Sequence, residues 1–392
     1  MRLLSIFLLL PIFLWANVAV DFETFKNMAL KESLFLKNRK LKTEISKKEK
    51  EIALRYKNPT FELETSRFDT ELDSIKNGYR GTISQPVRLF GVSEELKSFS
   101  NAKISLSVAI YKKQKANFLK ILEKAYTDYV YKKRLLGLIK EELEIAKKVV
   151  LIAKERYKNG TGTKAKFLQA SLERAEIENA ILSYENELFM TYQNLLSIAG
   201  IKKKVALKDA FLYDFSSIKL KNLKSPEVKI ASKKREFYLK EAKISKRLIK
   251  EIDIFAEYEK EPEQKIARFG VALELPLFNL KKEEEQIARI KALQSLFEGD
   301  YIKNFQSIKI DSLRESLKNL KNIYHQQKKL LKKEMELLEL FKEGYAISKG
   351  SLLDLLDAKN RLLKTKRKIL SVMKKCNDYI IELNYLQGFY NE

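Results

Sequence analysis

The 392-residue chain is short of several things, and each shortage removes a class of function. It has one cysteine, Cys376, deep in a helical stretch. No intrachain disulfide is available, and the thiol reads as a small packing residue. It has one histidine, His325, beside Gln326 and Gln327, with no Cys or His at metal-ligand spacing. There is no Gly-rich phosphate loop and no nucleophile motif, so neither catalysis nor a cofactor is expected. Glycine (12) and proline (6) are scarce, which is a helical profile. Long apolar runs are missing after residues 3–14, so no mature segment reads as a transmembrane helix.

That one apolar run follows Met1-Arg2 and ends in Leu14-Trp15-Ala16. A short positive end, an apolar core and a small residue at the cleavage position make residues 1–16 a signal peptide. The alternative, an N-terminal anchor, fits less well, because a bilayer takes about 20 residues. No cysteine follows the run, which rules out a lipid-anchored form. Charge is abundant and unbalanced: charged residues make up 33% and the net charge is +25. Lysines alternate with glutamates along every helical stretch, as on solvated coiled-coil faces. No nucleic-acid motif is present. Attraction to anionic lipid headgroups is the better use of the charge.

The chain contains a duplication. Lys154, Glu155, Tyr157, Gly162, Leu168, Ala170 and Gly200 fall on Lys342, Glu343, Tyr345, Gly350, Leu356, Ala358 and Gly388 at a constant offset of 188. Upstream, Leu122, Tyr129, Leu136, Leu143, Val150 and Tyr157 are spaced by seven, as are Leu317, Tyr324, Leu331, Leu338 and Tyr345. A second seam runs through Ala125, Lys132, Ile139, Ala146 and Ala153. Such seams mean helices packed as coiled coils. Duplication at this length means two similar halves.

Each half reads helix, strand, strand, long helix, turn, helix. After a short leader at 20–29, a first helix over about 31–57 ends at Asn58-Pro59. Alternating residues from Phe61 to Phe90 predict two strands within about 60–90, joined by a loop near 69–77. A helical hairpin follows over about 94–200. Its turn is Asn159–Gly162, Thr163 is the N-cap of the return helix, and Gly200 stops it. Residues 201–225 are a linker. The second half, 226–392, has strands within about 252–278, alternating as far as Leu277, and a hairpin over about 282–388. Four strands of about ten residues reach across a bilayer but do not close a barrel, which takes about eight. Chains must pool strands, and three chains give twelve.

Several residues resemble the TolC family of outer-membrane efflux proteins. They are Glu155-Arg156-Tyr157 with Gly160 and Gly162, the segment from Ser351 to Ala358, the strand ends Gln85-Pro86 and Leu275-Pro276-Leu277-Phe278, and the helix-ending Gly200 and Gly388. The resemblance covers nearly the whole mature chain and leans toward the metal-efflux branch. It implies a mainly α fold with a small β portion: a homotrimer with a long antiparallel α-helical barrel and a β-barrel to which each chain gives four strands. It further implies an outer-membrane duct with a large periplasmic portion, whose aperture docks a periplasmic adaptor protein and an inner-membrane pump, for efflux or type I secretion. By motif position, Asp354 and Asp357 match aspartates ringing the aperture. Six carboxylates in a trimer favour cations, whereas the alternative is two solvated aspartates in a helix's first turn. Tyr345 matches a latch tyrosine, but the aspartate expected opposite it is Lys158. The basic residue expected near Asp354 is replaced by Gly350 and Ser351, with Lys349 adjacent. Heptad core is the alternative reading for Tyr157 and Tyr345. Gly160, Gly162, Thr163, Gly350 and Ser351 resemble adaptor-docking turns, with plain helix hairpins as the alternative. The competing class is an exported coiled-coil scaffold or adaptor that never enters a membrane.

Overall fold

The structure, a computed structural model, describes residues 19–70, 73–217, 225–347 and 349–391. The expected signal peptide lies outside the described residues, as do 218–224 of the expected linker and Ser348 of the second turn. The elements follow in the order α1 (Phe22–Glu32), α2 (Leu34–Leu54), β1 (Thr60–Thr70), β2 (Asp73–Arg88), α3 (Val92–Lys158), α4 (Lys164–Ala199), α5 (Pro226–Ser245), β3 (Glu251–Lys260), β4 (Lys265–Ala272), α6 (Lys282–Ala346) and α7 (Leu352–Leu386).

Several boundaries differ from the sequence pattern. Strands β1 and β2 run to Thr70 and from Asp73, so most of the expected loop near 69–77 is paired strand. The leader is helical: the Asp21 side chain caps α1 by accepting from Thr24 N–H at 2.9 Å, and Phe22, Phe25 and Ala29 bury one face. The expected first helix therefore begins only after Ser33, where the backbone leaves helical geometry, and it closes at Leu54. Strand β4 ends at Ala272, although the alternation continues to Leu277. The β3–β4 ladder stops at Asp253 opposite Ala272, and Pro276 has no N–H with which to extend it. Pro86 is tolerated within β2 because it lies beyond Thr60–Ser84, where the β1 ladder finishes, so one flank is open.

The described residues form two compact units. One draws on described residues within 35–116 and 225–309, the other on described residues within 19–34, 117–217 and 310–390. The partition cuts across the duplication: each repeat contributes to both units, and α3 and α6 each run through both.

The first unit holds the sheet, antiparallel throughout and ordered β1-β2-β3-β4. Period-two alternation divides it into unlike faces. Phe61, Leu63, Tyr79, Ile83, Ile254, Tyr258, Phe269 and Val271 share one face and are all exposed. The other face carries Glu64, Arg80, Thr82, Glu257, Glu259 and Arg268. Arg80 pairs with Glu259 at 3.0 Å and Glu64 at 3.1 Å, and Arg268 pairs with Glu259 at 2.6 Å and also with Glu257. The helices of this unit touch in the same sequence as the strands. Lys103 of α3 meets Glu49 of α2 at 2.8 Å, Arg247 just past α5 meets Glu95 of α3 at 2.6 Å, and Ala231 of α5 lies under Gly299 of α6.

The second unit is helical. The heptad seams are its core: Leu122, Tyr129, Leu136, Ile139, Ala146, Val150, Leu317, Leu338 and Tyr345 are all buried. Around the end of this core, α3, α4, α6 and α7 contribute Val149, Ala153, Ala170, Leu338, Tyr345, Leu352, Leu355 and Leu362 to one cluster. Cys376 is buried with Leu317, Ile380 and Leu383, the packing role its isolation implied.

Candidate functional site

Both long helices of the second unit end in a turn, and the two turns share a backbone hydrogen bond at equivalent positions. Thr161 N–H donates to Arg156 O at 2.9 Å, and 188 positions later Lys349 N–H donates to Gly344 O at 2.9 Å. A Cβ on Gly162 would lie 3.0 Å from Arg156 Cβ, and one on Gly350 2.9 Å from Tyr345 N. In each repeat the chain therefore passes so close to the helix it has just left that only glycine fits. Thr163 Oγ1 accepts from Lys166 N–H at 3.3 Å and Ser351 Oγ from Leu353 N–H at 3.2 Å, capping α4 and α7 at equivalent positions. Gly160 adopts φ 71°, the left-handed region that favours glycine.

The equivalence breaks at Arg156, whose counterpart is Gly344. Its guanidinium crosses from the first turn to the second. It donates to Tyr345 O at 3.0 Å and Gly350 O at 3.4 Å, and back to Thr161 O at 3.2 Å, and it sits 4.5 Å from the centroid of the Tyr345 ring. Tyr345 is 1% exposed, and burial raises its phenol above the ordinary range while Arg156 opposes the rise. Its repeat mate Tyr157 is 44% exposed and stacks on Phe167. The two tyrosines thus have different surroundings despite one heptad register. Lys158 and Lys349 are exposed, and the cation that meets Tyr345 is Arg156.

Asp354 and Asp357 lie three apart in the first turns of α7, and both are exposed on the face opposite buried Leu352, Leu355 and Leu356. Asp357 pairs with Arg361 at 2.7 Å. Two residues beyond Asp357, Lys359 is fully buried. Its ammonium meets Glu173 of α4 and, at 3.6 Å, Glu142 of α3, which also receives Arg367 at 2.6 Å. A buried ammonium needs such compensation, and it ties three helices behind the turns.

Arg156 belongs to the Glu155-Arg156-Tyr157 motif, which by itself assigns it no role. Its signal was the mismatch with Gly344 in an otherwise matched turn. Lys359 gave no signal, since one lysine among many on a helix does not announce its burial. His325 is exposed beside Tyr324. Among the described residues no group of His, Cys, Asp or Glu is placed to hold a metal, and no helix is long and apolar enough to cross a membrane.

No protein-family model and no curated protein matches the chain. Solved structures do. It is similar to the outer membrane protein VceC of Vibrio cholerae (TM-score 0.77, 14% identity, 93% of this chain and 95% of that one). It is similar to CusC (TM-score 0.77, 17% identity, 95% and 94%), whose structures concern transmembrane channel formation. It is also similar to the Campylobacter jejuni outer membrane channel CmeC (TM-score 0.72, 16% identity, 93% and 85%). The chain has the fold of the TolC-like outer-membrane channels, a mainly helical protein with one small antiparallel sheet.

Proposed function

We propose that the chain is the outer-membrane component of an efflux or type I secretion system: a passive homotrimeric duct with no chemistry of its own. The observation that carries this reading is the sheet. One face is apolar and exposed, the other is ionic, and both outer strands have unpaired edges. A sheet of that kind is stable in lipid only once its edges are closed, because an unpaired backbone group in hydrocarbon costs several kcal/mol. Three copies supply twelve strands, lipid outside and a polar lumen inside.

The helices beside the sheet support closure by identical copies. The faces of α2 and α6 turned away from their neighbours carry Leu34, Leu41, Ile45 and Ile52, and Ile290, Phe297, Tyr301 and Ile308, all exposed. Both stripes are spaced seven, four, seven. Strand β1 follows α2 and strand β4 precedes α6, so the open helix faces accompany the open sheet edges. One repeated head-to-tail joint, β1 with α2 of one copy against β4 with α6 of the next, closes a ring.

In this reading the paired turns form the periplasmic aperture. Asp354 and Asp357 ring it with carboxylates, Tyr345 with Lys158 and Lys349 forms the latch region, and Gly160, Gly162, Thr163, Gly350 and Ser351 shape the turns that meet the adaptor, which an inner-membrane pump drives. The fully buried environment of Tyr345 and its contact with Arg156 support a gate held within one chain.

The test is conductance in planar bilayers. The detergent-purified protein is expected to insert as a trimer and give cation-selective channels that millimolar divalent ions block from one side. Asp354→Asn with Asp357→Asn should lower selectivity and weaken the block, while Glu343→Gln changes little. Release of the native protein by osmotic shock without detergent, with no channel activity, would overturn the reading in favour of a soluble scaffold. Channels with unchanged selectivity and block would remove the two aspartates from the aperture.

A further inference from the structure

A cavity of about 580 Å³ lies in the second unit, walled by α3, α6, α7 and residues 209–211 of the linker. Small-molecule sites run from about 300 to 1,000 Å³. Leu138, Leu331 and Leu370 give it an apolar lining, and Phe211 and Tyr324 add aromatic rings. Both rings are held in place. Arg134 of α3 donates to Asp209 Oδ1 at 3.1 Å and to Asp209 O at 2.8 Å, and its guanidinium stands 5.0 Å from the Phe211 ring centroid. Tyr324 packs on Phe215 with ring centroids 5.4 Å apart. Walls already ordered lower the entropy cost of binding.

Gly137 lines the cavity from the middle of α3. Its counterpart in the second repeat is His325, so the duplication does not call for glycine there. Glycine weakens a helix interior relative to alanine. No positive φ requires it at Gly137, and a Cβ there would meet nothing within 4 Å. The chain leaves that space open and puts nothing into it.

Four cations line the same space, Lys133, Arg134, Lys328 and Lys366. Asp209 balances Arg134, and Glu141 balances Lys366. Lys133 and Lys328 meet no carboxylate among the described residues. Lys133 donates to Leu207 O at 3.4 Å, and Lys328 lies 5.7 Å from the Tyr324 ring centroid. A solvated lysine by itself needs no partner. Two of them beside fixed aromatic rings, at a gap that glycine keeps open, fit an anion that is flat and aromatic.

We propose that this cavity binds an aromatic carboxylate of one or two rings. The ring system lies against the bare backbone at Gly137, between Phe211 and Tyr324, and the carboxylate pairs with Lys133 and Lys328. An inorganic anion would leave the rings and the leucines unused. The occupant bridges the two repeats, because α3 belongs to the first and α6 and α7 to the second. The proposal is independent of the outer-membrane reading, since every wall comes from one chain.

Isothermal titration of naphthoate into the full chain in a neutral maltoside detergent tests it, with the titration into detergent alone subtracted. Saturable binding of one ligand per chain is expected, with a dissociation constant of about 1 mM or tighter. Naphthamide, the uncharged isostere, should bind about tenfold more weakly, and Lys133→Gln with Lys328→Gln should weaken naphthoate by a similar factor while sparing the amide. Gly137→Leu should abolish binding of both without lowering the thermal midpoint, because its side chain enters open space and leucine is the better helix former. Equal affinity for acid and amide overturns the role of the two lysines. Full affinity in Gly137→Leu places the ligand elsewhere and overturns the site. Absence of saturable naphthoate binding overturns the proposal as a whole and leaves the duct reading, which conductance tests, untouched.

Discussion

Glu123 shows how far a single residue departs from its ordinary chemistry when the fold buries it. Its carboxyl is 4% exposed in α3 and accepts from Tyr213 Oη at 3.0 Å and Tyr390 Oη at 2.5 Å. Burial pushes it up to about 7 from 4.5, against the two phenols and Lys26, with Glu23 adding to the rise. The folded protein therefore holds this proton more tightly than the unfolded chain does. The stability it contributes is fully present below about pH 4.5 and is lost as pH rises through about 7. The difference is on the order of 3 kcal/mol. The thermal midpoint in detergent is expected to fall between pH 5 and pH 8, and Glu123→Gln, which cannot ionise, should flatten that fall. A variant that keeps the full parental slope would show that another group titrates. Nothing in the sequence marks Glu123 among its many helical glutamates, because burial is decided by Tyr213 and Tyr390 arriving from distant segments.

The elements obey local rules wherever those rules are strong. The caps Thr163 and Gly200, the bounds of α6 and the strand pairs could be read because period, cap and breaker coincide there. The misread stretches are those where tertiary contact competes with pattern. Residues 22–32 are helical because Phe22, Phe25 and Ala29 find a buried partner surface, Phe22 lying 4.8 Å from Tyr126. Leu273 to Leu277 alternates like a strand but leaves the ladder after Ala272, although β3 continues to Glu251, and Pro276 has no N–H to bring it back. The turns give the sharpest expectation at this scale. Gly350→Ala and Gly162→Ala each force a Cβ to about 3 Å from the preceding helix end, and overpacking of that kind costs about 1–3 kcal/mol. Gly160 has open space and only a left-handed φ, which asparagine tolerates. Thermal melts should show a clear loss for both alanine variants and little for Gly160→Asn. Equal effects at all three positions would mean that backbone conformation, not close approach, makes these glycines necessary.

At the scale of the whole molecule, the proposed head-to-tail joint between copies makes a specific prediction. Helix α2 runs toward the sheet and α6 away from it, so a joint between copies is antiparallel. The mirrored spacing then places Ile52 against Ile290, Ile45 against Phe297 and Leu41 against Tyr301. Leu41→Cys combined with Tyr301→Cys should oxidise to disulfides between copies and give covalent trimers in denaturing gels without reductant, while each single variant stays monomeric there. Cys376 is buried and does not interfere. Disulfides confined to one chain, or none in a protein that still forms channels, would refute this joint while sparing the trimer.

By itself the sequence determined the two-repeat plan, the long helices, the strand pairs and the position of the turns, because duplication, heptad period, alternation and capping are local signals repeated many times. It also carried the resemblance to the outer-membrane channels. Tertiary structure alone decided that Tyr345 is buried while Tyr157 is exposed, that Arg156 reaches across to the other turn, and that Glu123 and Lys359 lie inside. Those outcomes depend on contacts between segments 90 to 267 residues apart, and charge and burial follow distance in space, on which sequence spacing is silent.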